Sequence, residues 1–249
     1  MALALGAFAM LGGGCMEDAS HIDSAFYNWD NRKIHCPIDI DSEADVSMSS
    51  IDSGLDRAQS TGEVFELYTH DPGNTVSWST IDTVLQHAQA RGLAFVTFDD
   101  IIAGNKPATG ALSLSFDDAH EVDWVEGLPM YAMYSAKLTF WIAYYNTMGA
   151  QGKADVKQLG AAGHSIEAHT VKHQRAPEYV EQFGLDAWMN DEVQPSIDEL
   201  VADGFTVDAF AYPFGARTDE TDDAVGKKVK VIRSVAYTWE SPATDPCPY

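Results

Sequence analysis

The chain is poor in basic residues. Lys and Arg number 15 against 38 Asp and Glu, a formal net charge of −23 over 249 residues. Such a surface repels phosphate backbones and anionic headgroups, which excludes nucleic acid and acidic membranes as main partners. A neutral or cationic substrate remains. No apolar run is long enough to cross a bilayer. The small apolar stretch Met1 to Gly14 ends at Cys15, with no Lys or Arg before it. Residues 1–15 therefore read as the end of an export signal, with Cys15 offering a lipid anchor. The expected location is periplasmic, envelope-anchored or extracellular. Cysteine is also scarce, three in all. With Cys15 in the signal, Cys36 and Cys247 remain, and in an exported chain they suggest one disulfide, the alternative being two unpaired thiols. Hydrophobic residues make up 45% and aromatics 11%, enough for a full core and too many for a disordered chain.

Residues 16–30 read as a polar linker and 31–249 as a single domain. Ile34, Cys36, Ile38 and Ile40 alternate with other positions, the period of a strand. Strands are also expected at 64–70, 93–98, 111–116, 137–143, 164–168, 209–212 and 232–237. Helices are expected at 49–62, 79–91, 153–162, 186–203 and 221–229. Strands and helices alternating in one run define a parallel α/β architecture, and a barrel is its compact closure. Functional residues then belong at the C-terminal ends of strands. His70, Asp117, Asp118, His169 and Phe214 all fall at or just past such ends.

Two segments carry chemistry: Ser115-Phe116-Asp117-Asp118-Ala119 and His169-Thr170-Val171-Lys172-His173. One carboxylate and two imidazoles make three ligands for a zinc-type ion, with a fourth position open to water. The adjacent carboxylate can take that water's proton. The histidines are four apart, so on a helical turn they would share a face. A second pair, Asp99-Asp100, precedes a short helical turn that either residue can cap.

Ser-Phe-Asp-Asp-Ala, the stretch Gly163 to His173, and Phe210-Ala211-Tyr212-Pro213-Phe214-Gly215 resemble, in order and spacing, three motifs of the polysaccharide deacetylases, the family 4 carbohydrate esterases. The resemblance implies a distorted β/α barrel of about seven strands that removes acetyl groups from acylated sugars with a divalent metal. It implies Asp117 as general base, Asp118, His169 and His173 as metal ligands, and the backbone N–H of Phe214 on the oxyanion. Zinc suits the donors, as do cobalt, nickel and manganese. The partner implied is an acetylated polysaccharide or oligosaccharide, and a monomer is expected.

Two departures from the family pattern stand out. The arginine that usually pairs with the base is replaced by Ala211, for which Arg175 or Arg217 are candidate substitutes. The family's last motif, an apolar strand ending in the acid histidine, has no counterpart after Gly215. The front of the chain supplies one in Glu66 to Gly73, which points to a circular permutation with His70 as general acid. The permutation also accounts for the second Phe-Asp-Asp and places Cys36 and Cys247 beside the break. Asp39 or Asp41 is a candidate to orient His70. His120 and Tyr212 are candidate substrate contacts. Trp124, Tyr131, Tyr134, Trp141 and Trp239 are read mainly as core, His164 as fixing a strand end, and His21, His35 and His87 as surface or packing residues. Two alternatives to a deacetylase are an amidase or deformylase acting on a small molecule, and a catalytically silent carbohydrate-binding module.

Overall fold

The computed structural model describes residues 23–236 together with Cys247. The signal-like segment, the beginning of the expected linker, His21 and Trp239 lie outside these residues. The elements in chain order are β1 (Phe26–Tyr27), β2 (Ile34–His35), β3 (Ile38–Asp39), α1 (Met48–Thr61), β4 (Val64–Thr69), α2 (Trp78–Ala90) and β5 (Ala94–Phe95). They continue with α3 (Phe98–Ala103), β6 (Ala111–Asp118), α4 (Glu121–Glu126), α5 (Leu128–Met133), β7 (Thr139–Ile142), α6 (Ala150–Ala161) and β8 (Ser165–Ala168). The last are α7 (Ala176–Phe183), α8 (Leu185–Trp188), α9 (Gln194–Ala202), β9 (Ala209–Ala211), α10 (Asp219–Val225) and β10 (Val231–Arg233).

Local chemistry sets the helix ends. The Ser47 and Ser77 side chains accept backbone N–H groups at the starts of α1 and α2. Gly62, at φ 78°, ends α1 in the left-handed conformation that glycine adopts without penalty. Thr97 and Asp100 form a capping box on α3, so the earlier aspartate pair does cap a helix, through Asp100. Ile51, Leu55 and Ala58 lie on one buried face of α1, packed on the sheet.

The sheet is a nearly closed parallel barrel. β4, β6, β7, β8, β9 and β10 lie side by side, all parallel. The segment from Ile34 to Asp39 makes the closing stave: β2 pairs with β10 and β3 pairs with β4. The single strand expected over 34–40 is therefore two. Cys36-Pro37 breaks it where the chain leaves one partner for the other, and proline has no N–H for a ladder. β1 pairs antiparallel with β4, so the packed domain takes in the second half of the segment expected to be a linker.

The helix expected over 186–203 is also interrupted. A wide π turn at Met189–Val193 separates α8 from α9. Pro195 lacks the N–H that a regular helix would use there, and the displaced turn buries Glu192. The Glu192 carboxylate then accepts the backbone N–H of Lys172 at 2.8 Å, which pins the histidine loop.

A Cys36–Cys247 disulfide ties the closing stave to the far end of the chain, 211 positions away. Replacing both cysteines by serine is expected to lower unfolding stability by about 2–5 kcal/mol, since so long a loop loses much chain entropy when cross-linked. Denaturant midpoints with and without reductant measure it. A midpoint that neither the double substitution nor reductant moves would contradict the bond.

Candidate active site

Parallel strands all point their C-terminal ends to one rim. β6 brings Asp117 and Asp118 there, β8 leads into His169, β4 into His70, and β9 into Phe214. Nδ1 of His169 donates to the carbonyl of Ala211 at 2.9 Å, which turns Nε2 toward the rim. That Nε2 lies 3.5 Å from Oδ1 of Asp118, and Nε2 of His173 lies 2.9 Å from the same oxygen. One ligand atom from each of the three residues falls within 4.8 Å of the others. The two histidines are not on a helical turn, as their spacing suggested. They sit in the loop after β8, where Thr170 at φ 67° and His173 at φ 54° bend the chain so that both rings converge.

Burial opposes the charge on Asp118, but hydrogen bonds from His169 and His173 hold its carboxyl well below the usual range. Burial pushes the His169 imidazole down, toward the neutral form. A charged carboxylate and a neutral imidazole are the forms that ligate a metal. The donor set therefore fits a divalent ion.

Asp117 is 2% exposed. Its Oδ2 accepts from the guanidinium of Arg233 on β10, and its Oδ1, buried, has no hydrogen-bond partner among the described residues. Arg233 is held between the rings of Tyr68 and Trp141, 4.9 and 5.5 Å from their centroids. Neither arginine expected to replace the missing one takes this place. Arg175 pairs with Glu178, and Arg217 pairs with Asp222. Arg233 has one sequence signal. It follows Val231 at the period-two spacing that aims both at the barrel interior.

Across the rim, Nδ1 of His70 lies 2.6 Å from Oδ2 of Asp41. Burial alone would lower the His70 pKa, but the Asp41 hydrogen bond and the charges of Asp117, Asp41 and Asp118 raise it to about 9. Asp41 also accepts from the Thr69 and Thr75 hydroxyls. Asp39 holds the backbone N–H of Asp41 at 2.8 Å. Burial, then the charge of Asp41, pushes the Asp39 carboxyl up to about 6.

Nine non-glycine residues among those described have positive φ, and five of them, Asp118, Tyr144, Thr170, His173 and Phe214, crowd this rim. Each such conformation costs about 1–3 kcal/mol, and strain of this kind concentrates where function demands a geometry.

Other expected site residues fall elsewhere. Tyr212 is fully buried in the core against Phe210, because the alternation that β9 sets turns it to the opposite side from Ala211. His120 is at the rim with Nδ1 3.3 Å from Asp71. Trp124, Tyr131, Tyr134 and Trp141 are buried, as expected. His164 accepts the N–H of Leu138 at 3.0 Å, a strand-end fixture. His35 is buried with Nδ1 2.6 Å from Oε1 of Glu66, and Nδ1 of His87 lies 2.7 Å from Asp52.

The sequence model of the polysaccharide deacetylase family matches residues 104–230. That stretch holds Asp117, Asp118, His169, His173 and Phe214; His70 and Arg233 lie outside it. Among solved structures, IcaB from Ammonifex degensii is 18% identical, with a TM-score of 0.59 over 72% of this chain and 93% of that one. The Streptococcus pyogenes deacetylase PplD is 22% identical, with a TM-score of 0.53 over 66% of this chain and 78% of its own. The BpsB deacetylase domain from Bordetella bronchiseptica is 14% identical, with a TM-score of 0.54 over 73% and 92%. No curated protein sequence matches the chain significantly. The α/β barrel is thus the fold of these solved structures. The chain belongs to the polysaccharide deacetylase family.

Proposed function

We propose that the protein is a metal-dependent hydrolase that removes acetyl groups from an N- or O-acetylated polysaccharide. The observation that carries the reading is Asp117. It is a buried carboxylate whose Oδ2 is held by Arg233 and whose Oδ1 has no partner among the described residues, beside the convergent Asp118, His169 and His173. A divalent ion held by those three, with zinc preferred and cobalt, nickel or manganese suited to the same donors, would supply Lewis-acid polarisation and a lowered water pKa.

The chain's own groups divide the remaining work. Asp117 takes the proton of the attacking water at Oδ1, with Arg233 as its counter-charge. The backbone N–H of Phe214 donates to the acyl oxygen as charge builds there. His70, its Nδ1 held by Asp41, gives the proton at Nε2 to the departing nitrogen or oxygen. The chain order, with the His70 strand first, is read as a circular permutation of the family's order. Export is the corresponding location, and the disulfide suits an oxidising compartment. Among the described residues no helix is long and apolar enough to cross a membrane.

Acetate release from acetylated chito-oligosaccharides and acetyl-xylan tests the reading, using protein stripped of metal and then given zinc or cobalt. Release that depends on the metal is expected. Metal uptake without release from either substrate would favour the silent binding module. His70→Ala is expected to lower the rate about 100-fold with metal retained. His70 must be protonated to act, so the parent's rate should fall as pH rises through about 9, and the variant should lack that limb. Unchanged kinetics in the variant would remove both His70 and the permutation argument built on it.

A further inference from the structure

Asp39 is a half-buried carboxyl to which the division of work above gives no part. β3 runs parallel to β4 with Asp39 in register with Tyr68, so the two side chains share a face of the sheet. On that face the Tyr68 ring carries the Arg233 guanidinium at 4.9 Å. Oδ1 of Asp39 accepts the backbone N–H of Asp41 at 2.8 Å. A carboxylate oxygen of Asp39, one of Asp41 and a ring nitrogen of His70 all lie within 4.8 Å of one another. Burial, then the charge of Asp39, pushes the Tyr68 hydroxyl well up, so it keeps its proton and gives a hydrogen bond to Asp39.

The groups around Asp39 are Asp41 on its own stave, Tyr68 and His70 from β4 and the turn after it, and Asp117 from β6, with Arg233 from β10 over the Tyr68 ring. Asp39, Asp41 and Asp117 are all carboxyls. Like charges this close repel, and burial adds to the cost. Arg233 is committed to Asp117. The cation left for Asp39 and Asp41 in this group is His70 in its protonated form.

The two aspartates do different things. Asp41 meets Nδ1 of His70 directly, and the Thr69 and Thr75 hydroxyls fix its carboxylate. Asp39 stands one step behind. An amide at position 39 would hold the Asp41 N–H equally well, so what the carboxylate adds is charge. We propose that Asp39 is a positioning residue for the acid: it anchors the Asp41 backbone and sets a second negative charge beside His70, so that the imidazole keeps its proton until the leaving group takes it. The proposal rests on the deacetylase reading.

The test compares the zinc-loaded parent with Asp39→Asn and Asp39→Glu. Acetate release from acetylated chito-oligosaccharides and acetyl-xylan is followed against pH, with the melting temperature beside it. The His70 ring titration is followed by NMR of labelled histidine, its signal assigned by its absence from His70→Ala. Asparagine keeps the acceptor and removes the charge. The alkaline limb expected at about 9 in the parent should therefore move down by about one pH unit in Asp39→Asn, and the ring titration should move with it. Above the parent's limb the variant should run about tenfold slower, and below both limbs the two rates should agree. Asp39→Glu keeps the charge and should return the limb toward the parent's. A loss by one factor at every pH, with a lower melting temperature, would mean that Asp39 only supports the stave, and would overturn the proposal. An unmoved limb in Asp39→Asn, with the parent releasing acetate, would also overturn it and leave the deacetylase standing. No release by the parent from either acetylated substrate would overturn the deacetylase reading and this role for Asp39 together.

Discussion

Asp117→Asn is expected to lower kcat about 1,000-fold while the protein keeps its metal. Asparagine still accepts the Arg233 hydrogen bond, so the geometry at Oδ2 survives. What is lost is the Oδ1 of a carboxylate, a buried acceptor beside the triad with no hydrogen-bond partner among the described residues. Metal content measured beside the rate decides the matter. Loss of metal in this variant would mean that Asp117 is a ligand and that the base lies elsewhere. Asp118→Asn gives the complementary result, with metal affinity falling first and rate following.

Arg233→Met is expected to cost about 3–5 kcal/mol of stability, because it leaves Asp117 buried and charged without a counter-ion. Side-chain exposures of 1% and 3% leave solvent little part in screening the pair. For a chain of this length that is a fall in melting temperature of about 10 °C. Activity should fall with it, since the carboxylate would no longer be held. Combining Arg233→Met with Asp117→Asn should recover part of the stability, because both charges leave together and the two effects are not additive. Arg175→Ala is the control. Its ion pair with Glu178 is partly exposed and worth about 0–1 kcal/mol, so the melting temperature should barely move. If Arg233→Met melts with the parent and keeps its rate, the arginine does not position the base.

Much of this site was legible in the one-dimensional pattern. The residues Asp117, Asp118, His169 and His173 stand in short motifs at strand ends, and parallel strands bring such ends to one rim. His70 was legible for the same reason, although the family match over residues 104–230 does not reach it. Cys36 and Cys247 were paired by counting, and the structure joins them. The apolar rhythm also marked β4, β6, β7, β8 and β9 and the helices α1 and α2 within two residues, while the strands expected over 93–98 and 232–237 are shorter, at Ala94–Phe95 and Val231–Arg233.

The misses share a cause. Arg233 is 116 positions from Asp117, and nothing local to either residue announces the other. Arg175 and Arg217 were nearer to the motifs in sequence, but each has a carboxylate within five positions that claims it. Tyr212 stands inside a motif, yet the two-residue period of a strand sends it to the opposite face from Ala211. The histidine spacing was read as a helical turn because four residues fit one. The loop reaches the same convergence through two left-handed residues instead. The break at Cys36-Pro37 was hidden because both halves keep the alternation of a strand.

From the sequence alone came the family, the alternation of the main strands and helices, and the candidate site residues, all of which depend on residue type and short-range spacing; α4, α5 and α7 were not among the expected helices. The tertiary structure alone decided which arginine meets Asp117, that Asp41 rather than Asp39 holds His70, and that a cleft continues from His173. Those pairings form between strands far apart in the chain. They exist only because barrel closure brings β10, β3 and β4 around the end of β6, and closure is a property of the whole sheet rather than of any segment in it.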